Sequence, residues 1–191
     1  MKKYRSIVLL CFMAMCVTSC VPLSFISTNN GGETPFDSFS VVLPGKWVRL
    51  SATEYLLLTR DGFPCQGIIV KRFSLENDFE KKAKPIKKGM LPHEQAEAFL
   101  DNIKADKTFL NLTVIENAPA ALSGKKGFKL VYMYQTESGL TYRAIDYGLL
   151  EGDYLYSIQY DAPSRHYFDD TLEVFEQVAG SFKLKSKGTE N

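Results

Sequence analysis

Gly127 to Ala162 reads GFKLVYMYQTESGLTYRAIDYGLLEGDYLYSIQYDA, three apolar-rich runs parted by Glu137-Ser138-Gly139 and Glu151-Gly152-Asp153. In the first run Phe128, Leu130, Tyr132 and Tyr134 alternate with Lys129, Val131, Met133 and Gln135, and in the third Tyr154, Tyr156, Ile158 and Tyr160 keep the same period. A period of two sends successive side chains to opposite faces of a strand. Short glycine-bearing turns between such runs join antiparallel neighbours. The stretch therefore predicts a three-stranded meander with strands over 128–135, 140–150 and 154–160.

Downstream, Pro163 introduces a helix whose apolar stripe is Phe168, Leu172, Phe175, Ala179 and Phe182, spaced by alternating fours and threes as one helix face requires. Residues from Lys183 onward read as a polar tail. Upstream, Leu112 to Ile115 has strand character and Ser123-Gly124 marks a turn. From Pro92 the period is helical, with Ala96, Phe99, Leu100 and Ile103 on one face and acids near the start, where they suit the helix dipole. Tyr55 to Thr59, the turn dipeptide Asp61-Gly62 and Ile68-Ile69-Val70 predict a hairpin. Phe39 to Leu43 is a further strand, stopped by Pro44-Gly45 and followed by Trp47. Ser74 to Leu91 is expected to be a long loop. Helices segregated onto an antiparallel sheet make an α+β domain, with six or seven strands flanked by helices, over residues 36–183.

The order of pieces from Phe39-Ser40-Val41-Val42-Leu43-Pro44-Gly45-Lys46-Trp47, through the Asp61-Gly62 hairpin, Ala118-Pro119-Ala120, Gly127-Phe128 and Tyr154 to Ala162, to Ser181-Phe182 resembles the PsbP-like family. The resemblance implies an α-β-α sandwich, shared with a eukaryotic Ran-binding import factor and with bacterial envelope lipoproteins, and non-enzymatic roles in assembly or binding. Some relatives of that family bind metals, yet none of their ligand motifs maps onto this chain, so the fold and no site carries over.

The N-terminus decides where the domain is expected to live. Met1-Lys2-Lys3-Tyr4-Arg5 is cationic, and the apolar run from Ile7 to Val17 is too short for a helix to cross a ~30 Å hydrocarbon core. Val17-Thr18-Ser19-Cys20 resembles the lipobox of bacterial lipoproteins. That resemblance implies a signal peptide over residues 1–19, cleavage before Cys20, and acylation of Cys20. Val21, rather than Asp, follows the cysteine, which favours the outer membrane in a diderm host. Residues 20–35, rich in Ser, Asn, Thr and Gly, read as a flexible tether between lipid and domain.

Charge and cysteine usage exclude several classes. The whole chain carries 23 basic and 22 acidic residues, and loss of Lys2, Lys3 and Arg5 with the leader leaves it slightly acidic. Near-neutrality gives no electrostatic reason to expect nucleic acid, whose binding relies on an extended basic surface. Cys11 and Cys16 leave with the leader and Cys20 carries lipid, so Cys65 is alone and the mature chain forms no internal disulfide. Cys65 is expected as a buried filler at the start of a strand.

Catalytic machinery is not legible. The two histidines, His93 and His166, each begin a helix, and the acids Asp169 and Asp170 beyond the second suit its dipole. No paired Cys or His at zinc spacing, G-x-S-x-G elbow or glycine-rich phosphate cradle occurs. No enzyme, metal or cofactor is expected.

The candidate interaction residues are therefore the lysines Lys81, Lys82, Lys84, Lys87 and Lys88, and the meander tyrosines Tyr132, Tyr134, Tyr142, Tyr154 and Tyr156. The former could meet acidic partners or head groups. The latter have the rings that anchor interfaces. The expected function is a lipid-anchored, non-catalytic binding or assembly module in the cell envelope, facing the periplasm, with a protein partner. A carrier or chaperone for a hydrophobic ligand such as lipid is the alternative.

Overall fold

A computed structural model describes residues 25–28, 32–50, 55–79 and 82–185. Its strands in chain order are β1 (Phe25–Ser27), β2 (Glu33–Pro35), β3 (Phe39–Val42), β4 (Val48–Leu50), β5 (Tyr55–Thr59), β6 (Gly67–Ser74), β7 (Leu110–Leu122), β8 (Lys125–Gln135), β9 (Thr141–Glu151), β10 (Tyr154–Pro163) and β11 (Lys183–Leu184). Eight of them form one antiparallel sheet in the order β1-β4-β5-β6-β10-β9-β8-β7. The strand count thus exceeds the six or seven expected. The predicted meander is β8-β9-β10, and the predicted hairpin is β5-β6.

A second, smaller sheet has the order β11-β3-β2. Two of the extra strands, β1 and β2, fall in the stretch expected to be a flexible tether, and β11 begins the expected polar tail. Each is two or three residues long and owes its conformation to its pairing: β1 joins β4 and β11 joins β3, both distant in sequence. Such short pieces carry no period of their own. Cys20 and the leader lie outside the described residues.

Three helices complete the domain: α1 (Leu75–Phe79), α2 (Pro92–Ala105) and α3 (Tyr167–Gly180). α1 occupies part of the expected loop. Pro92 opens α2 where a missing N–H costs nothing, and the Glu94 carboxylate accepts the Leu91 N–H at 2.6 Å. α2 lies over β7, β8 and β9, burying Ala96, Ala98 and Leu100 against Phe128, Leu130, Tyr132 and Ala144. α3 lies on the opposite face over β10, where Phe168, Phe175 and Val178 meet Ile68, Val70, Ile158 and Tyr160. Thr171 and Val178 are buried on α3 while Leu172 of the predicted stripe is half-buried. The small sheet extends this second core through Phe39 and Val41, so side chains fill both faces of the large sheet. Trp47 is buried with them. Among the described residues, no helix is long and apolar enough to cross a membrane.

Candidate interaction face

The register of the meander decides which of its side chains meet. Tyr132 stands opposite Ala144, and Ala144 opposite Asp161. Even-numbered residues of β8 and β9 therefore share the α2 face with odd-numbered residues of β10. The tyrosines consequently divide. Tyr132, Tyr134 and Tyr142 lie on the α2 face, while Tyr154 and Tyr156 belong to the α3 face.

Three of the five are buried and offer no ring to a partner: Tyr132, Tyr142 and Tyr156. Tyr142 stacks on Tyr134 with ring centroids 5.5 Å apart, and its hydroxyl donates to the Pro64 carbonyl at 2.8 Å. Tyr156 packs against Phe182. Tyr134 and Tyr154 are half-buried, and the Arg72 guanidinium stands 4.4 Å from the Tyr154 ring centroid.

On the α2 face the alternation is interrupted by two acids that the sequence reading missed. Asp146 on β9 is fully buried, and its Oδ2 accepts the Tyr132 hydroxyl at 2.8 Å, with the Ser157 hydroxyl 3.4 Å from Oδ1. Asp161 on β10 accepts the Tyr134 hydroxyl at 3.2 Å. Burial pushes the Asp146 carboxyl up to about 7, helped by the nearby Asp161 charge and opposed by the hydrogen bonds of Tyr132 and Ser157. Burial likewise lifts Asp161 to about 6. Burial also raises the phenols of Tyr132 and Tyr134, and the acids beside them add to it. The signal in the sequence is Asp146 itself, a charge standing where the β9 period calls for an apolar side chain.

The lysine cluster is dispersed. Lys81 lies outside the described residues. Lys84 pairs with Asp101 at 3.1 Å, and Lys88 pairs with Asp153. Lys87 and Lys88 border an open cleft of about 580 Å³ with Ile86, Leu75, Asp153 and Tyr154. Lys82 instead stands at a smaller pocket of about 230 Å³ floored by phenylalanines from β6, α1 and α2. The structure thus joins Lys87, Lys88 and Tyr154 at one cleft and separates Lys82 and the remaining tyrosines from them.

Cys65 sits in the turn before β6, half-buried, rather than in the core. His93 and His166 are exposed, and Asp170 pairs with Arg60 at 2.5 Å. Among the described residues no group of three or more His, Cys, Asp or Glu side chains is placed to hold a metal ion.

An open antiparallel sheet between helices also characterises several solved structures. The cyanobacterial PsbP of Synechocystis superposes with a TM-score of 0.52 at 13% identity, over 88% of this chain and 96% of that one. This is the PsbP/Mog1 α-β-α sandwich. The Ran-binding protein Mog1p of Saccharomyces cerevisiae shares the sandwich with a TM-score of 0.51 at 9% identity, over 85% of this chain and 95% of that one. LpqN, described as involved in cell envelope biogenesis of Mycobacterium tuberculosis, shares it with a TM-score of 0.51 at 13% identity, over 86% and 92% of the two chains. A longer Bacteroides thetaiotaomicron chain, of which this one spans 47%, gives a TM-score of 0.46. No protein-family model and no curated protein sequence matches the chain. At these identities the sandwich fold is what is shared.

Proposed function

We propose that this chain is a lipid-anchored, non-catalytic binding or assembly module of the bacterial cell envelope, carried on the outer membrane with its domain facing the periplasm. The observation that carries the reading is Thr18-Ser19-Cys20, a lipobox-like cysteine, placed ahead of a PsbP/Mog1 sandwich. Mog1p is described as Ran-binding and LpqN as involved in cell envelope biogenesis, and both descriptions agree with a binding role. The chemistry of the described residues supports it too. The two acids that lie together are covered by tyrosine hydroxyls, and no Ser or Cys stands on a histidine as a nucleophile on its base would. Side chains fill both faces of the sheet, which favours recognition on the surface over carriage of a lipid inside.

Fractionation of the native host tests the anchor. Wild-type protein is expected in the membrane fraction after a high-salt wash and Cys20→Ser in the soluble fraction, because two or three acyl chains hold a protein almost permanently. Retention of Cys20→Ser in washed membranes overturns the anchor. Crosslinking in intact cells tests the module, and recovery of monomer alone under conditions that trap known envelope complexes overturns it.

A further inference from the structure

Among the described residues four buried side-chain polar atoms have no hydrogen-bond partner in the protein, and three of them gather at one end of the α3 face: Gln66 Oε1, Arg143 Nε and Ser164 Oγ. The register brings them together. Arg143 of β9 stands opposite Ala162 of β10, and Gly67 of β6 opposite Asp161, so Gln66 and Arg143 flank Ala162 from its two sides. Ser164 follows two residues on, and its N–H still donates to the Thr141 carbonyl at 2.9 Å. Alternation along the strands puts all four residues on the face that carries Ile68, Ile145 and Tyr160. Burying a polar group without a partner is costly. Three such groups around one buried alanine point to a partner they share.

Their neighbours fix what each atom offers. Gln66 is fully buried, and its Nε2 donates to Asp61 Oδ2 at 2.8 Å. A carboxylate only accepts, so the amide nitrogen is held there and Oε1 is left as a bare acceptor. The Arg143 guanidinium lies 4.6 Å from the Phe168 ring centroid, with no carboxylate within ion-pair distance among the described residues. Its Nε–H is a bare donor. The Ser164 hydroxyl can act either way. An anion is repelled by Gln66 Oε1 and a cation by Arg143, so the set suits a neutral molecule that both donates and accepts. Atoms this deeply covered leave room for nothing larger than water.

We propose that this spot is an internal water site, in which one water accepts the Arg143 Nε–H, donates to Gln66 Oε1 and bonds the Ser164 hydroxyl above Ala162. Buried waters characteristically make about three hydrogen bonds to groups that otherwise lack partners. The water closes a polar ring around the first turn of α3. On one side Arg60 donates to Asp170 of α3 at 2.5 Å and to Asp61 at 2.8 Å, and Asp61 also accepts from Gln66. On the other side Arg143 lies against Phe168 of α3. Water between Gln66 and Arg143 joins the two sides beneath the helix start.

Water-selective NMR of the isotope-labelled full-length chain in detergent tests it, with Arg143→Lys identifying the Arg143 Nε–H resonance by its loss. Recorded in the rotating frame, where direct proximity and chemical exchange differ in sign, a proximity cross-peak between that proton and water is expected. Ala162→Ser places a hydroxyl, itself donor and acceptor, where the water stands, so the cross-peak is expected to vanish while the amide spectrum keeps its dispersion. A wild-type proton with no proximity peak to water overturns the site. So does a coupling across a hydrogen bond from Arg143 Nε to the Gln66 side-chain carbonyl, which means that the two bond directly. A cross-peak that survives unchanged in a folded Ala162→Ser protein also overturns it, since the water then lies elsewhere.

Discussion

Asp146 ties the stability of this domain to pH. An unfolded chain releases this proton near 3.8, while the folded protein holds it until about 7. Between these values the native state binds more protons than the unfolded one, so stability is complete below about 4 and falls as pH rises toward 7. Asp161, lifted to about 6, acts in the same direction over a shorter window. The groups facing the pair are the hydroxyls of Tyr132, Tyr134 and Ser157, and among the described residues no cation stabilises either carboxylate. The exposed acids Glu33, Asp61 and Asp106 are held below their ordinary values, chiefly by hydrogen bonds, and so act in the opposite sense, at the acid end of the range. A tenfold difference in proton affinity between folded and unfolded states is worth ~1.4 kcal/mol, so urea denaturation is expected to show a loss of a few kcal/mol between pH 4 and pH 8. Asp146→Asn should flatten that curve and leave the variant the more stable protein at pH 8. A wild-type domain as stable at pH 8 as at pH 5 would contradict the arrangement.

The elements divide by whether their pattern is local. β8, β9, β10 and α2 are long, and each repeats its own period, so Tyr132 or Leu100 could be placed on a face before any partner was known. β1, β2 and β11 are fixed only by pairing, as when Lys183 meets Ser40 across most of the chain. The phenylalanine-floored pocket was illegible for the same reason: Phe73, Phe79, Phe99 and Phe109 come from four segments, and only Phe99 carried a periodic signal. The edge strand β7 lies between these cases. Its thirteen residues carry a single charge, Glu116, and expose Leu110, Val114 and Ile115. An edge so long and apolar invites pairing with another chain. Two irregularities in its register with β8 interrupt the ladder, and Pro119 removes a donor, which in an edge strand must face away from the sheet. Pro119→Thr restores that donor at an exposed site. The expected outcome is a stability within ~0.5 kcal/mol of wild type and a marked rise in self-association by sedimentation velocity. A variant that stays monodisperse at every concentration shows that the register shifts alone protect the edge.

At the scale of the whole molecule, the place where the chain enters the sheet sets how far the domain can stand from a bilayer. If Cys20 is the acylated residue, only five residue steps separate it from Phe25, the first residue of β1, a reach of at most ~18 Å. Thr28 then fastens the entry. Its N–H donates to the Trp47 carbonyl at 2.8 Å, its hydroxyl lies 2.9 Å from the same carbonyl, and it accepts the Trp47 N–H at 3.1 Å. A tether of sixteen residues would let an anchored domain roam; one of five would hold the β1–β4 edge beside the head groups. Trp47 is the sole tryptophan of the chain and marks that edge. Energy transfer from Trp47 to dansyl-labelled lipid head groups should therefore be efficient in the reconstituted full chain. Inserting twenty Gly/Ser residues after Val21 adds a coil of about 25 Å root-mean-square length and should reduce the transfer sharply. Equal transfer with and without the insertion would mean that the domain lies on the bilayer through its own surface, and that the short leash does not set its position.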